Sequence, residues 1–251
     1  ARKMALQEKE LAATGDRDRD RMYGDLITAN LYRMEKGARV LRTENYYGPD
    51  GGQVEIPLDP LKTPQQNAAR YYKNYTKAKT AETMLTLQLE KGAQEAAYLD
   101  SVLDSVSRAE GDRDLEEIRQ ELVETGYLRR GKTAAKRQKR VSGKPMEFRS
   151  SAGLRISVGK NNSQNDRLTT KQAYKSDLWL HTQKIHGSHV ILWLEGGEAA
   201  AQSLTEAAIL AATFSQAGEG SRVPVDYTPV KYVKKPAGAR PGMVVYTTYQ
   251  T

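Results

Sequence analysis

The sequence predicts an α+β protein: an antiparallel helical coiled-coil arm followed by a small α+β domain with a mostly antiparallel sheet. Three observations predict it. A heptad seam of Tyr71, Tyr75, Ala78, Leu85, Leu89, Ala96, Leu99, Leu103 and Val106 runs through one long helix-forming stretch, with Glu82 and Gly92 as interruptions. A second seam at Tyr23, Ile27, Leu31, Met34, Ala38 and Leu41 alternates four- and three-residue steps and supplies a partner. From Met146 the pattern changes to short apolar runs separated by turn residues, with a few helical stretches among them. The expected division is a helical domain at 1–128, a basic linker at 129–144 and an α+β domain at 145–251.

The composition bounds the function. A chain of 251 residues with 28% charged side chains and only two Phe holds one or two domains rather than one large core. A net charge of +8 favours an acidic partner, nucleic acid first; the bland alternative is a solvated, mixed-charge helical surface. The chain has no Cys, which removes disulfides and thiolate metal sites and fits an intracellular address. No apolar run approaches the ~20 residues of a membrane helix, and no secretory signal is visible. The chain opens inside helical sequence, so a fragment of a longer protein is expected.

Each element follows in order. Ala1–Ala13 is helix-forming, and Thr14-Gly15-Asp16 breaks or caps it. The alternating run Asp16–Arg21 starts a helix, its carboxylates near the positive end of the dipole. Gly48-Pro49-Asp50-Gly51-Gly52 is a turn, after which Val54–Ile56 pairs back onto 40–47. Thr63-Pro64 reads as an N-cap with Pro at the first helical position, and Pro64–Ala109 as one helix roughly 70 Å long. Gly111-Asp112 breaks it, and Leu115–Leu128 forms a third helix. Arg129–Lys144 has no acid; Arg137, Lys139 and Arg140 form either a solvated tether or a strip for RNA phosphates. Met146–Ser150 and Leu154–Val158 form a hairpin, Asn161–Lys171 a polar-capped helix, and Glu198–Gln216 an amphipathic helix over one sheet face. Arg222–Thr228, Val230–Val233 and Met243–Thr247 are further strands.

The centre of the second half is Asp177–Leu194, which holds both Trp and all three His. Leu178 and Leu180 alternate with Trp179 and His181, and 190–194 is a buried-strand run. The connection between these strands is a polar turn at 184–188, with Gly187 placed to take a positive φ.

Gly153–Thr169, Asp177–His181 and Gly187-Ser188-His189-Val190 carry a run of the form V-G-K-N-N-x-Q-N-D, then D-x-W-x-H, then G-S-H-V. This resembles the carboxy-terminal R domain of the NFACT family, called fibronectin-binding protein A-like in bacteria. Tyr23–Asn30, Asn45-Tyr46-Tyr47, Ile56–Pro60, Asn67–Tyr72 and Lys77–Thr80 are similar to the family's middle coiled-coil region. The resemblance covers nearly the whole chain. His186 stands where the family usually has proline, which leaves the turn less rigid. The resemblance implies binding to a large ribosomal subunit that carries a stalled peptidyl-tRNA, recruitment of alanyl-tRNA and template-free alanine tailing, with the ribosome supplying the chemistry. It implies tRNA and rRNA as partners, a stalk-base protein at the coiled coil, and a cytoplasmic address. The family's older name raises a second reading, an adhesin that binds fibronectin. The amino-terminal domains that carry much of the family's tRNA contact are not in this sequence.

The residues themselves support binding rather than catalysis. The sequence has no Walker loop, Gly-x-Ser-x-Gly elbow or paired metal signature, and no cofactor is expected. His181, His186 and His189 lie close in sequence, but their spacing fits no standard zinc pattern; hydrogen-bonded histidine is the simpler reading and a metal enzyme the lesser one. Lys160, Asn161, Asn162, Gln164 and Asn165 join a cation to amides that donate and accept, suited either to RNA or to helix capping. Trp179 and His181 offer flat surfaces for an unstacked base, with core packing the simpler reading for Trp179; Trp193 reads as core. Lys184, His186, Ser188 and His189 of the turn complete the expected RNA contacts.

Overall fold

The computed structural model describes residues 2–48, 51–129, 143–217 and 222–251. Arg137, Lys139 and Arg140 of the expected basic linker lie outside the described residues, as do Pro49 and Asp50 of the expected turn. By packing, the chain divides into Ala1–Glu95 and Ala96–Thr251.

In the first unit, α1 (Arg2–Ala12) and α2 (Arg17–Ala29) run antiparallel to α3 (Pro64–Ser107). Met4 lies over Gly92, Gln7 bonds Gln88, Arg17 pairs with Glu82, and the Tyr23 ring meets Tyr71 edge-on at 5.4 Å. At Gly24 the helices approach so closely that a Cβ would sit 2.9 Å from the Tyr72 ring. The start of α3 is fixed by a reciprocal cap: Thr63 N–H donates to Gln66 Oε1 (2.9 Å), and Gln66 N–H to Thr63 Oγ1 (3.2 Å). Pro64 follows, needing no donor there.

The helix expected to carry the seam from Tyr23 to Leu41 ends early, at Ala29. Asn30, 3% exposed, donates its side-chain amide to the Leu26 carbonyl (2.7 Å) and to Thr43 Oγ1 (3.2 Å). Such local bonding offers the backbone an exit from the helix. One 3₁₀ turn (Leu31–Arg33) follows, and then β1 (Val40–Glu44) pairs antiparallel with β2 (Gln53–Pro57), Leu41 opposite Ile56. Leu31, Met34, Ala38 and Leu41 still reach one core, with Leu26, Ile27, Ile56, Leu58 and Tyr71. The seam therefore marks burial along its length but helix only through Ile27.

The second unit is a five-stranded antiparallel sheet in the order β3-β4-β6-β5-β7: β3 is Met146–Arg149, β4 Arg155–Val158, β5 Leu178–Thr182, β6 Val190–Leu192 and β7 Val225–Pro229. Alternation assigns its faces. Ile156, Val158, Leu180, Val190 and Leu192 pack under Ala207 and Ala211 of α6 (Ala201–Thr213). Trp179, Ile191 and Trp193 face the other way, with Leu168 and Val230. The end of α3 and all of α4 (Asp112–Glu124) belong to this unit, joined through Tyr98, Val102 and Ile118. Helix α4 starts three residues before the expected Leu115, with Asp112 and Asp114 favourably placed in its first turn. Helix α5 (Asn162–Arg167) runs on into a π-helical turn at Leu168–Gln172. The expected strand at Val230–Val233 is instead a 3₁₀ turn at Val230–Tyr232 after Pro229, which has no N–H to continue a ladder. A two-residue ribbon, β8 (Val233–Lys234) with β9 (Val245–Tyr246), completes the unit. Among the described residues no helix is long and apolar enough to cross a membrane.

Candidate nucleic-acid interface

The Lys160–Asn165 loop leaves β4 and caps α5: Asn161 Oδ1 accepts the Gln164 N–H at 2.9 Å. Its amides do not face solvent. Asn161, Asn162, Gln164 and Asn165 are between 1% and 6% exposed. Two carboxylates of α4 meet them. Glu117 accepts from Asn161 Nδ2 (3.0 Å), Gln164 Nε2 (2.7 Å) and Arg167 Nη2 (2.6 Å). Glu121 accepts from Ser163 N–H (3.0 Å), Ser163 Oγ (2.8 Å) and Tyr98 Oη (2.8 Å). Burial raises the Glu121 carboxyl above its ordinary value, against the lowering effect of those hydrogen bonds. Lys160 lies 3.3 Å from Asp114, so its charge is already countered. Of the two readings of this loop, the geometry fits helix capping: its four amides are bonded inside the unit and present no open face to RNA. Asp114, Glu117 and Glu121 fall three and four residues apart, on one helix face. That acidic stripe was the signal that these donors had an internal partner.

The central strands bring the histidines together. Trp179 stacks on His181 (centroids 5.6 Å, planes 8° apart) and meets His189 edge-on at 5.2 Å and Tyr246 at 4.8 Å. His189 Nδ1 lies 2.7 Å from Thr169 Oγ1, and the His189 N–H donates to Asn165 Oδ1 at 3.0 Å. Burial first, and His181 second, push the His189 imidazole down to about 3. Burial also lowers His181. Both rings are neutral at pH 7 and bring no positive charge. Trp179 is 1% exposed and its flanks are occupied, so it offers no open face to a base; its Nε1–H finds no acceptor among the described residues. A cavity of about 190 Å³ lies between this aromatic group and the end of α3, with His186 and Arg108 in its wall. Among the described residues no three His, Asp or Glu side chains converge as metal ligands.

Of the turn residues, Lys184 is exposed and His186 half-buried, whereas Ser188 and His189 are buried. Ser188 Oγ accepts from Arg108 Nη1 at 2.9 Å, and Arg108 also grips Asp104. The positive φ expected at Gly187 falls on Lys184 (φ 62°). Gly187 is needed for space instead, because a Cβ there would lie 3.0 Å from both Ser215 Cβ and Thr182 Oγ1. Lys184 and His186 are thus the expected RNA contacts of this turn that still reach solvent.

The second unit is thus an α+β module whose loop amides are bonded to the carboxylates of α4 and whose turn leaves Lys184 exposed. Comparison with known proteins makes this specific. Residues 1–141 match the NFACT N-terminal and middle domains, and residues 144–247 match the NFACT protein RNA binding domain. The chain belongs to the NFACT family. It is 41% identical over 252 aligned residues to the Rqc2 homolog RqcH of Bacillus subtilis, and 40% identical over 251 to that of Streptococcus suis. All of this chain is covered in both alignments, but only 44% of each relative, so the chain spans less than half the length of these curated relatives. It is also similar to a solved structure, the C-terminal part of the fibronectin/fibrinogen-binding protein of Streptococcus suis, with TM-score 0.73 and 34% identity over 99% of this chain and 85% of that one.

Proposed function

We propose that this chain is the ribosome- and RNA-binding portion of a cytoplasmic ribosome quality-control factor. It binds the large ribosomal subunit and tRNA or rRNA, and so supports template-free alanine tailing of stalled nascent chains. It acts by binding, and the ribosome performs the peptidyl transfer. The observation that carries this reading is the match of residues 144–247 to an RNA-binding domain in a chain alignable along its whole length with RqcH relatives. The net charge of +8 supports it, since a polyanion gains from meeting such a surface. In the first unit, Tyr32 (86% exposed) and Leu61 (85%) suit contact with a ribosomal protein such as one at the stalk base.

Co-sedimentation with purified large subunits across a salt series tests this. Binding is expected at low salt and should fall linearly on a log–log plot as phosphate contacts are replaced by ions. No co-sedimentation even at low salt rejects the proposal. The similarity to a fibronectin/fibrinogen-binding protein favours a second reading, adhesion through protein contacts. Binding to immobilised fibronectin with none to ribosomal subunits would establish that one instead.

A further inference from the structure

The internal ion pairs of the second unit show, by elimination, which cations are available to a partner. Arg108 pairs with Asp104, Lys160 with Asp114, Arg167 with Glu117 and Lys235 with Asp166. Arg155 has no acidic partner among the described residues. Its guanidinium lies over the Trp193 ring, 3.9 Å from the centroid. That ring is fixed from below: Trp193 Nε1–H donates to Ser157 Oγ (2.7 Å), and Ser157 donates to the Glu147 carboxylate (2.9 Å). The Arg155 plane is therefore held outward on a rigid indole base.

Beside it lies a groove of about 470 Å³, lined by Lys144, Arg155, Gln172, Tyr174 and Trp193 among others. That volume falls within the ~300–1,000 Å³ usual for ligand sites. Tyr174 is 72% exposed, and no aromatic ring or cation covers it among the described residues. Its backbone is nevertheless fixed, since the Tyr174 N–H donates to Asp177 Oδ2 at 2.8 Å and the Asp177 N–H to the Tyr174 carbonyl at 3.1 Å. Lys171 and Lys175 flank it, exposed and without ion pairs among the described residues. The single acid of the groove, Glu147, is engaged by Ser157.

We propose that this groove binds one unstacked nucleotide of single-stranded RNA, its base on Tyr174, its phosphate between Arg155 and Lys144, and Gln172 at a base edge. The proposal rests on the RNA-binding reading above and gives it a site. Each part has a chemical reason. An exposed aromatic face recruits any unstacked base, two cations without an ion pair among the described residues match a phosphodiester, and a side-chain amide both donates to and accepts from a base edge. Glu147 is the one lining carboxylate among the described residues, and its oxygens are turned to the Ser157 hydroxyl.

The test is anisotropy of a fluorescent single-stranded RNA 12-mer titrated with the chain, native and substituted. Tyr174→Ala should weaken binding about tenfold, as expected for loss of one stacked base, and Tyr174→Phe should not. Arg155→Lys should weaken it less than Arg155→Ala, which should also reduce the slope of log affinity against log salt by about one. A 4-thiouridine oligomer irradiated on the native chain should form its adduct at Tyr174, a readout independent of any variant's folding. Native RNA binding that is unaffected by Tyr174→Ala and Arg155→Ala, with crosslinks elsewhere, overturns the site and leaves the RNA-binding reading standing. Failure of the native chain to bind the oligomer overturns the site, and the RNA-binding reading falls with it only when co-sedimentation with large subunits fails as well.

Discussion

The neutral His189 imidazole makes a quantitative prediction about stability. Buried against Trp179, His181 and Thr169, it falls from 6.5 to about 3. A histidine shifted down this way costs nothing above pH 6.5, where folded and unfolded chains are both neutral. Below that pH the unfolded chain takes up a proton that the folded chain refuses, and stability is lost until the folded value is reached. Each pH unit in this window removes ~1.4 kcal/mol, so a fall from pH 7.5 to 5.0 removes about 2 kcal/mol through His189. His181, shifted in the same direction, adds to the loss. Glu121 opposes it, because a carboxyl raised by burial stabilises the fold increasingly as pH falls. The comparison that isolates His189 is the native chain against His189→Asn at each pH, so that the contributions of the other groups cancel. Asn keeps a polar partner for Thr169 but cannot titrate. The assay is urea unfolding followed by tryptophan fluorescence; both Trp lie in the second unit, at 1% and 5% exposure, so the signal reports on that unit alone. The native chain should be more stable than the variant at pH 7.5, and its advantage should shrink by about 2 kcal/mol at pH 5.0. An advantage that stays constant or grows would refute a buried neutral imidazole.

Three further outcomes follow from the packing. Glu117→Ala leaves Asn161, Gln164 and Arg167 without their shared acceptor and should cost about 3 kcal/mol in the same unfolding assay. Glu117→Gln should cost less, since it keeps one acceptor oxygen. Thr63→Ala removes the cap of α3 and should cost ~1 kcal/mol, seen as a lower melting temperature in far-UV circular dichroism. Gly24→Ala puts a methyl against the Tyr72 ring and should cost ~1–3 kcal/mol, a loss that shrinks when Tyr72→Ala is made in the same chain.

Periodicity and turn chemistry carried most of the fold. The cap at Thr63-Pro64, the β1–β2 pairing, the β3–β4 hairpin and the paired central strands depend on local patterns and were readable from them. The helix expected through Leu41 stops at Ala29 because apolar spacing reports burial, whereas the side-chain bonds of Asn30 to Leu26 and Thr43 favour leaving the helix there. The site was less legible. Asn161–Asn165 carry the right groups for RNA, but whether an amide meets solvent or a carboxylate depends on a helix about forty residues upstream, and no local pattern states that pairing. Tyr174 and Arg155 carry no local signal for the opposite reason. Each is unremarkable in sequence, and they gain meaning only when the strand order sets Trp193 beneath one and leaves the other uncovered.

Glu117 and Glu121 of α4 have an effect beyond holding the fold together. They occupy in advance the donors most attractive to phosphate, and so act as a built-in anionic decoy. An RNA strand approaching Asn161–Asn165 would have to displace carboxylates that are already buried and bonded, whereas Arg155 has no ion pair to give up among the described residues. The proposed landing place of a polyanion on this unit follows by subtraction.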